Sequence, residues 1–276
     1  MEDDERFAIE SDLLLEALYR MYGYDFRDYA EASIRRRLSA WLAGSGFSSL
    51  SEAQGKLLRD RSLFDQFVRG ITVNVSEMFR DPLFFKALRE QVVPHLKTYS
   101  FVKIWHAGCS TGEEVYSMAI LLQEEGLAGR YRIYATDINE NVLGKAREGI
   151  YPLQEMRRFT ENYQKSGGRR DFADYYTARY DHAMLMPALK KDIVFAAHNL
   201  AVDADFGEMN MVFCRNVLIY FKASLKERVL SLFDRALLPG GFLCLGTKET
   251  LENRDIFADY HEIGRGTRIY AKCYKS

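Results

Sequence analysis

Apolar positions recur at helical spacing through the first quarter of the chain, then give way to short, strand-like runs. Leu14, Ala17, Leu18 and Met21 share one helix face, and Gly23 follows as a stop signal. Ile34, Leu38, Trp41 and Leu42 mark a second helix, ending at Gly44. Ser49 with Glu52 forms a capping box ahead of a helix that carries Leu57 and Leu58. Leu63, Phe64, Phe67, Val68 and Ile71 continue the period. Residues 12 to about 71 therefore predict a small all-helical domain, preceded by a frayed acidic end at Glu2, Asp3, Asp4 and Glu5. In residues 72–82 the pattern changes, with polar Asn74, Ser76 and Arg80 set among apolar Val73 and Val75, which reads as an interdomain linker. Pro82 suits the first turn of a helix running through Leu83, Phe84, Leu88 and Val92.

From Phe101 the chain alternates strands and helices. Residues 101–105 read as a strand, pass through Gly108 and Gly112, and enter a helix at Glu113 and Glu114. A second strand alternates over residues 130–136 and ends at Asp137. Strands at 192–200 and 209–216 follow; the latter is the most apolar, as expected for the middle of a parallel sheet. A helix through Leu225, Val229, Leu230, Phe233 and Leu237 ends at Pro239-Gly240-Gly241, ahead of strands at 242–246 and 266–272. Residues 151–190 break this rhythm with a helix, a turn at Gly167-Gly168, and a hairpin of 175–179 and 183–186 about Tyr180-Asp181-His182. The expected architecture is an α/β, Rossmann-like domain over 83–276, with a β insertion at about 151–190 and an N-terminal helical domain and linker over 1–82.

Composition narrows the function classes. With 276 residues and a formal net charge of −1, no global field draws the chain to nucleic acid or a membrane surface. Tyrosines and arginines interleave in the insertion, but hairpins are rich in tyrosine, and a structural or protein-binding role is expected over nucleic acid. No apolar run is long enough to span a bilayer and no signal-peptide pattern opens the chain, so a cytoplasmic protein without direct membrane insertion is expected. Cys109, Cys214, Cys244 and Cys273 form no Cys-x-x-Cys pair, and the five histidines show no His-Glu-x-x-His spacing, so reduced thiols and no metal site are expected. Arg35, Arg36 and Arg37 follow one another on the second helix, either as a solvated face or as a docking surface for an acidic protein.

The turn at 107–114 carries the candidate chemistry. Strand, glycine turn and helix build a nucleotide pocket in open α/β sheets, and an acidic residue ending the next strand, here Asp137, grips ribose hydroxyls. Ser110 fills the middle position that a pyrophosphate needs as glycine, and Glu114 at the helix start repels phosphate. Both features tilt the ligand from a dinucleotide towards a nucleoside without phosphates, such as S-adenosylmethionine.

Several segments together resemble the chemotaxis-receptor glutamate methyltransferases, the CheR family. They are Asn74-x-Ser76-x-x-Phe79-Arg80, Cys109-Ser110-Thr111-Gly112-Glu113-Glu114-x-Tyr116-Ser117 and Ala135-Thr136-Asp137-Ile138. Ala146-Arg147-x-Gly149-Ile150-Tyr151, Asn199-Leu200 and Phe213-Cys214-Arg215-Asn216-Val217-x-Ile219-Tyr220-Phe221 complete the set, which covers nearly the whole chain. The resemblance implies a class I methyltransferase fold and methyl transfer from S-adenosylmethionine to glutamate side chains on the cytoplasmic helical region of a chemoreceptor, giving S-adenosylhomocysteine. It implies cofactor contacts from Asn74, Ser76, Arg80, Ala107, Gly108, Glu114, Asp137, Ile138, Asn199, Leu200, Arg215 and Asn216, with Arg80 and Tyr220 flanking the reacting groups. Arg35, Arg36 and Arg37 become the receptor-docking candidates. Two other readings stay open: a dinucleotide-dependent oxidoreductase, and a non-catalytic S-adenosylmethionine-binding adaptor on receptor arrays.

Overall fold

The helical period at the start of the chain becomes four helices. In the computed structural model, which describes residues 2–72, 76–251 and 257–274, α1 spans Glu2–Tyr22, α2 Glu31–Ser45, α3 Leu50–Leu57 and α4 Arg61–Ile71. The acidic start is helical, not frayed. Asp3, Asp4 and Glu5 lie in the first turn of α1, where negative charge complements the exposed N–H groups of the helix dipole. Ser49 caps α3 by accepting the Glu52 N–H at 3.1 Å, and Glu52 reaches back to the Ser48 N–H at 2.8 Å. Asp60 caps α4 through the Leu63 N–H. α1 packs on α3 and α2 on α4, burying Leu14, Leu18, Ile34, Leu38, Phe64 and Phe67. Met21, in the last turn of α1, stays exposed.

The chain divides into two compact units. Residues Met1–Val73, Asn199–Ala204 and Leu218–Leu230 form unit 1; Asn74–His198, Asp205–Val217 and Ser231–Ser276 form unit 2.

Unit 2 opens with α5 (Pro82–Ala87), a π-helical turn (Leu88–Val92) and α6 (Val93–Leu96), where the sequence predicts one regular helix. Pro94 is the physical reason: it offers no N–H to the Glu90 carbonyl and its ring crowds that group. The Val93 N–H instead bonds five residues back, to the Leu88 carbonyl.

Next come β1 (Val102–Ala107), α7 (Glu113–Glu124), β2 (Tyr131–Asp137) and α8 (Glu140–Glu148). The insertion holds β3 (Ile150–Pro152), α9 (Leu153–Lys165), a 3-10 turn (Phe172–Tyr175), β4 (Tyr176–Arg179) and β5 (His182–Leu185). After α10 (Pro187–Lys190) follow β6 (Ile193–Ala197), β7 (Met209–Cys214), a 3-10 turn at Leu218–Tyr220 and α11 (Ala223–Ala236). β8 (Leu237–Leu245), β9 (Tyr260–Glu262) and β10 (Ile269–Lys272) complete the elements.

The main sheet has the order β6-β2-β1-β7-β8-β10-β9. The strands from β6 to β8 are parallel, while β10 lies antiparallel between β8 and β9. Every residue of β7 is buried, as its apolar run predicts. Strand order reverses direction between β1 and β7, and the carboxyl ends of strands at such a switch point form a ligand crevice. β8 already begins at Leu237, so Pro239-Gly240-Gly241 lies inside a strand and not in a turn before one. A register shift opposite Met209 and Met211 accommodates it, and a Cβ on Gly241 would sit 2.9 Å from the Leu238 carbonyl.

The insertion carries a three-stranded antiparallel sheet, β3-β5-β4, one short strand more than the expected hairpin. Its aromatic residues are mostly core: Tyr151, Phe159, Tyr163, Phe172 and Tyr175 are buried. A buried ionic cluster ties it to α7, with Arg89 paired to Glu124 and Glu125, Arg169 2.8 Å from Glu125, and the Tyr163 and Tyr175 hydroxyls donating to Glu124. All four cysteines are free, and no helix among the described residues is long and apolar enough to cross a membrane.

Candidate active site

At the end of β1 the backbone turns so tightly that only small groups fit. Gly108 has φ 74°, and a Cβ there would meet Val217 Cγ2 at 2.5 Å. The Gly108 and Cys109 N–H groups both donate to the Thr136 carbonyl, at 2.8 and 2.9 Å. Ser110, at φ 51°, donates its N–H to Asp137 Oδ2 at 2.9 Å, and Asn139 donates to Oδ1 at 2.9 Å. The first turn is thus hooked onto the end of β2, with Ala107, Gly108, Asp137 and half-buried Ile138 at the mouth of the crevice. Burial pushes the Asp137 carboxyl up, and the N–H groups of Asn139, Ser110 and Ile138 pull it part of the way back. The Ser110 hydroxyl is buried and has no hydrogen-bond partner among the described residues.

The two glutamates at the start of α7 have different surroundings. Glu113 is buried and accepts the Thr111 hydroxyl at 2.7 Å, and burial raises its carboxyl above the usual range against the opposing pull of Thr111 and Ser76. Glu114, the predicted cofactor contact, accepts Arg215 Nη1 at 2.6 Å and lies 3.4 Å from His106 Nδ1, without the alignment of a hydrogen bond. Arg215 is enclosed. Its guanidinium also binds Asp81 at 2.7 Å and the Leu245 carbonyl at 3.3 Å, and lies 3.9 Å from the Phe84 ring centroid. That side chain therefore braces the turns that carry Glu114 and Asp81.

Asn216, at φ 62°, shows how the next turn is held. Glu249 accepts the N–H groups of Asn216 and Val217 at 2.9 Å each and of Gly246 at 2.6 Å. Sequence reading misses Glu249, because no spacing pattern marks a buried carboxylate in the loop after β8.

Arg80 stands on a strained turn. Its neighbours Phe79 and Asp81 have φ 51° and 58°. The Phe79 N–H donates to Ser117 Oγ at 2.8 Å, and its buried ring packs against Phe85, Tyr163 and Phe172. Asp81 is held by Arg215. Arg80 between them is half-buried and makes no hydrogen bond or ion pair among the described residues. Asn74 lies outside the described residues.

The remaining predicted residues belong to unit 1. Asn199 donates its side-chain amide to the Gly23 carbonyl at 3.2 Å and accepts the Ala201 N–H at 3.0 Å, while Leu200 is buried. Tyr220 closes the 3-10 turn; its carbonyl accepts the Ala30 N–H at 2.7 Å, and the Phe221 ring packs on Tyr29. The three arginines part company, because successive helix positions point about 100° apart. Arg35 and Arg36 are exposed, Arg35 pairing with Asp4. Arg37 is half-buried, donating to the Ile71 carbonyl at 2.8 Å with its guanidinium 4.6 Å from the Tyr220 ring centroid. Arg37 thus does not share the exposed face of Arg35 and Arg36.

The family described as CheR methyltransferase, SAM binding domain, matches residues 74–263, and its all-alpha domain matches residues 9–72. The chain belongs to the CheR methyltransferase family. Its relatives include a Pseudomonas putida protein named "Putative methyltransferase Cher3", 48% identical over 272 residues, which cover 99% of this chain and 100% of that one. A chemotaxis protein methyltransferase of Listeria innocua is 32% identical over 243 residues, covering 87% and 88% of the two chains. Chemotaxis protein methyltransferase 1 of Pseudomonas aeruginosa is 32% identical over 234 residues, covering 80% and 82%. The strand order, the helical N-terminal region and the small antiparallel sheet are those of a class I methyltransferase with a helical domain and an insertion. Membership assigns this CheR-family chain a SAM-binding domain, and its residues fit that ligand. Asp137 retains lone pairs for ribose hydroxyls after its backbone bonds, and the orphaned Ser110 hydroxyl offers a buried polar partner.

Proposed function

We propose that this CheR-family methyltransferase acts in the cytoplasm on glutamate side chains in the helical region of a chemoreceptor or receptor-like protein, forming glutamate methyl esters for sensory adaptation. Relatives named chemotaxis protein methyltransferase support the choice of acceptor. The observation that carries the reading is Arg80: a guanidinium without an internal partner among the described residues, held between two anchored residues at positive φ.

S-adenosylmethionine, when bound, supplies a methyl group on a cationic sulfonium. A glutamate carboxylate is ionised at neutral pH, its ordinary pKa being about 4.3, so it needs no general base. The protein's work is positioning and exclusion of water. Arg80 holds the acceptor carboxylate through its planar fork of donors. Left-handed backbone at Phe79 and Asp81 is unfavourable by about 1–3 kcal/mol each, and burial of the Phe79 ring and the Asp81–Arg215 pair stabilise it, so Arg80 is aimed in advance. Asp137 and Ser110 hold the nucleoside. Tyr220 offers a hydroxyl and an apolar ring face to orient the carboxylate.

Arg80→Lys tests this reading. It keeps the charge and loses the fork, and is expected to lower kcat about 10- to 100-fold, about 1.4–2.7 kcal/mol, with a modest change in cofactor affinity. A folded Arg80→Lys enzyme with wild-type kcat would remove Arg80 from the reaction. Cofactor binding by the wild type without transfer to any acceptor would favour the adaptor reading.

A further inference from the structure

We infer that Arg37 is a positioning residue for Tyr220 and not a docking arginine; this rests on the proposed role of Tyr220. Arg37 sits on the inward face of α2, three residues after Ile34 and one before Leu38, both buried. A docking residue gains nothing from being turned inward, and burial lowers the pKa of its guanidinium, a tendency that Tyr220 opposes. The guanidinium is fixed from two sides. Nη1 donates to the Ile71 carbonyl at 2.8 Å, and Nε lies 3.3 Å from Ser33 Oγ. Its Nη2 is buried without a conventional hydrogen-bond partner among the described residues. The charge also meets Tyr220, with the guanidinium carbon 4.6 Å from the ring centroid.

Tyr220 is set by backbone and by ring at once. Its carbonyl accepts the Ala30 N–H at 2.7 Å, the Lys222 N–H reaches the Asp28 carbonyl at 2.8 Å, and Phe221 bridges to Tyr29. These bonds fix where the turn lies, but a tyrosine side chain still has freedom about its own bonds. Arg37 over the face removes that freedom. The same guanidinium grips Ile71, the last residue of α4. Helix α2 thereby supports Tyr220 from within unit 1.

The test compares Arg37→Gln, Arg37→Lys, Tyr220→Leu and the Arg37→Gln/Tyr220→Leu double variant in methyl transfer to a receptor cytoplasmic fragment. Arg37→Gln is expected to lower kcat about tenfold with KM for the fragment unchanged, and Arg37→Lys to recover part of the loss. The double variant should be no slower than Tyr220→Leu alone, because the two residues act as one unit. A docking role predicts the opposite split, a raised KM that grows with salt and an unchanged kcat, and that result overturns the inference. A second arm needs no turnover: in protein with isotope-labelled tyrosine rings, Arg37→Gln should shift the Tyr220 NMR signal and leave that of exposed Tyr180 in place. An unmoved Tyr220 signal also overturns the inference. A wild-type enzyme that binds cofactor but methylates no fragment overturns the proposed function instead, and the NMR arm then decides the Arg37–Tyr220 pairing alone.

Discussion

Arg215 Nη1 lies 2.6 Å from Glu114 Oε2, and its Nη2 lies 2.7 Å from Asp81 Oδ2. One buried guanidinium thus joins three stretches far apart in sequence: the loop after β7, the first turn of α7, and the turn that presents Arg80. Removing it leaves Glu114 without its main counter-charge and frees Asp81. Arg215→Ala is expected to destabilise the protein by about 3–5 kcal/mol, the usual effect of breaking a buried pair from one side. Urea unfolding measures this, and a loss below about 1 kcal/mol would place the pair among weak surface bridges.

Opposing carboxyl shifts give stability a defined pH dependence. Burial pushes Glu114 up, but Arg215 and His106 more than offset it, so its pKa lies below the usual range. Burial likewise raises Glu124, and the Tyr163 and Tyr175 hydroxyls, the Arg89 charge and the Arg169 N–H bring it below the usual range. A carboxyl depressed on folding contributes stability above its unfolded pKa, about 4.3, that is lost as pH falls through the folded value. Glu113 has the reverse sign: its raised folded pKa gives a contribution present below the unfolded value and lost as pH rises through the folded one. Urea midpoints should therefore drop on acidification below about pH 4. The stability of Glu113→Gln relative to wild type should climb as pH rises from that region; parallel curves for the two proteins would contradict this assignment.

Ser110 separates a binding role from a structural one. A buried hydroxyl without a partner is unfavourable in the ligand-free protein, so Ser110→Ala should leave its melting temperature unchanged or raised. If that hydroxyl serves the cofactor, S-adenosylhomocysteine should bind about 3- to 10-fold more weakly, the range for one neutral hydrogen bond. Calorimetry on the same preparation reads both quantities, and unaltered affinity would take Ser110 out of the site.

Much of unit 2 was legible because its signals are local. The apolar run at 209–214 announced a central strand, and alternation ending at Asp137 placed that carboxylate at the mouth of the sheet. What escaped depends on partners distant in the chain. Glu249 binds N–H groups of Asn216 and Val217, more than thirty residues earlier, and nothing near it in sequence foretells that. The strand at Ile150–Pro152 is three residues long and exists through pairing with β5. Arg37 did leave a sign. It fills the i+3 place in the apolar series Ile34, Leu38, Trp41, where a side chain must turn inward, yet its neighbours Arg35 and Arg36 invited reading all three as one charged run. The acidic start at Asp3, Asp4 and Glu5 looked frayed by composition alone, whereas a helix N-terminus favours those same charges.

The most direct measurement is transfer of labelled methyl from S-adenosylmethionine to cytoplasmic fragments of candidate receptors, followed by peptide mapping and mild alkali. The account predicts label on glutamate side chains of a helical segment, lost in base as methyl esters are, abolished when the acceptor glutamate is replaced by alanine, and slowed about 10- to 100-fold by Arg80→Lys. Label that resists base, or that maps to lysine, arginine or a nucleic acid, would contradict it.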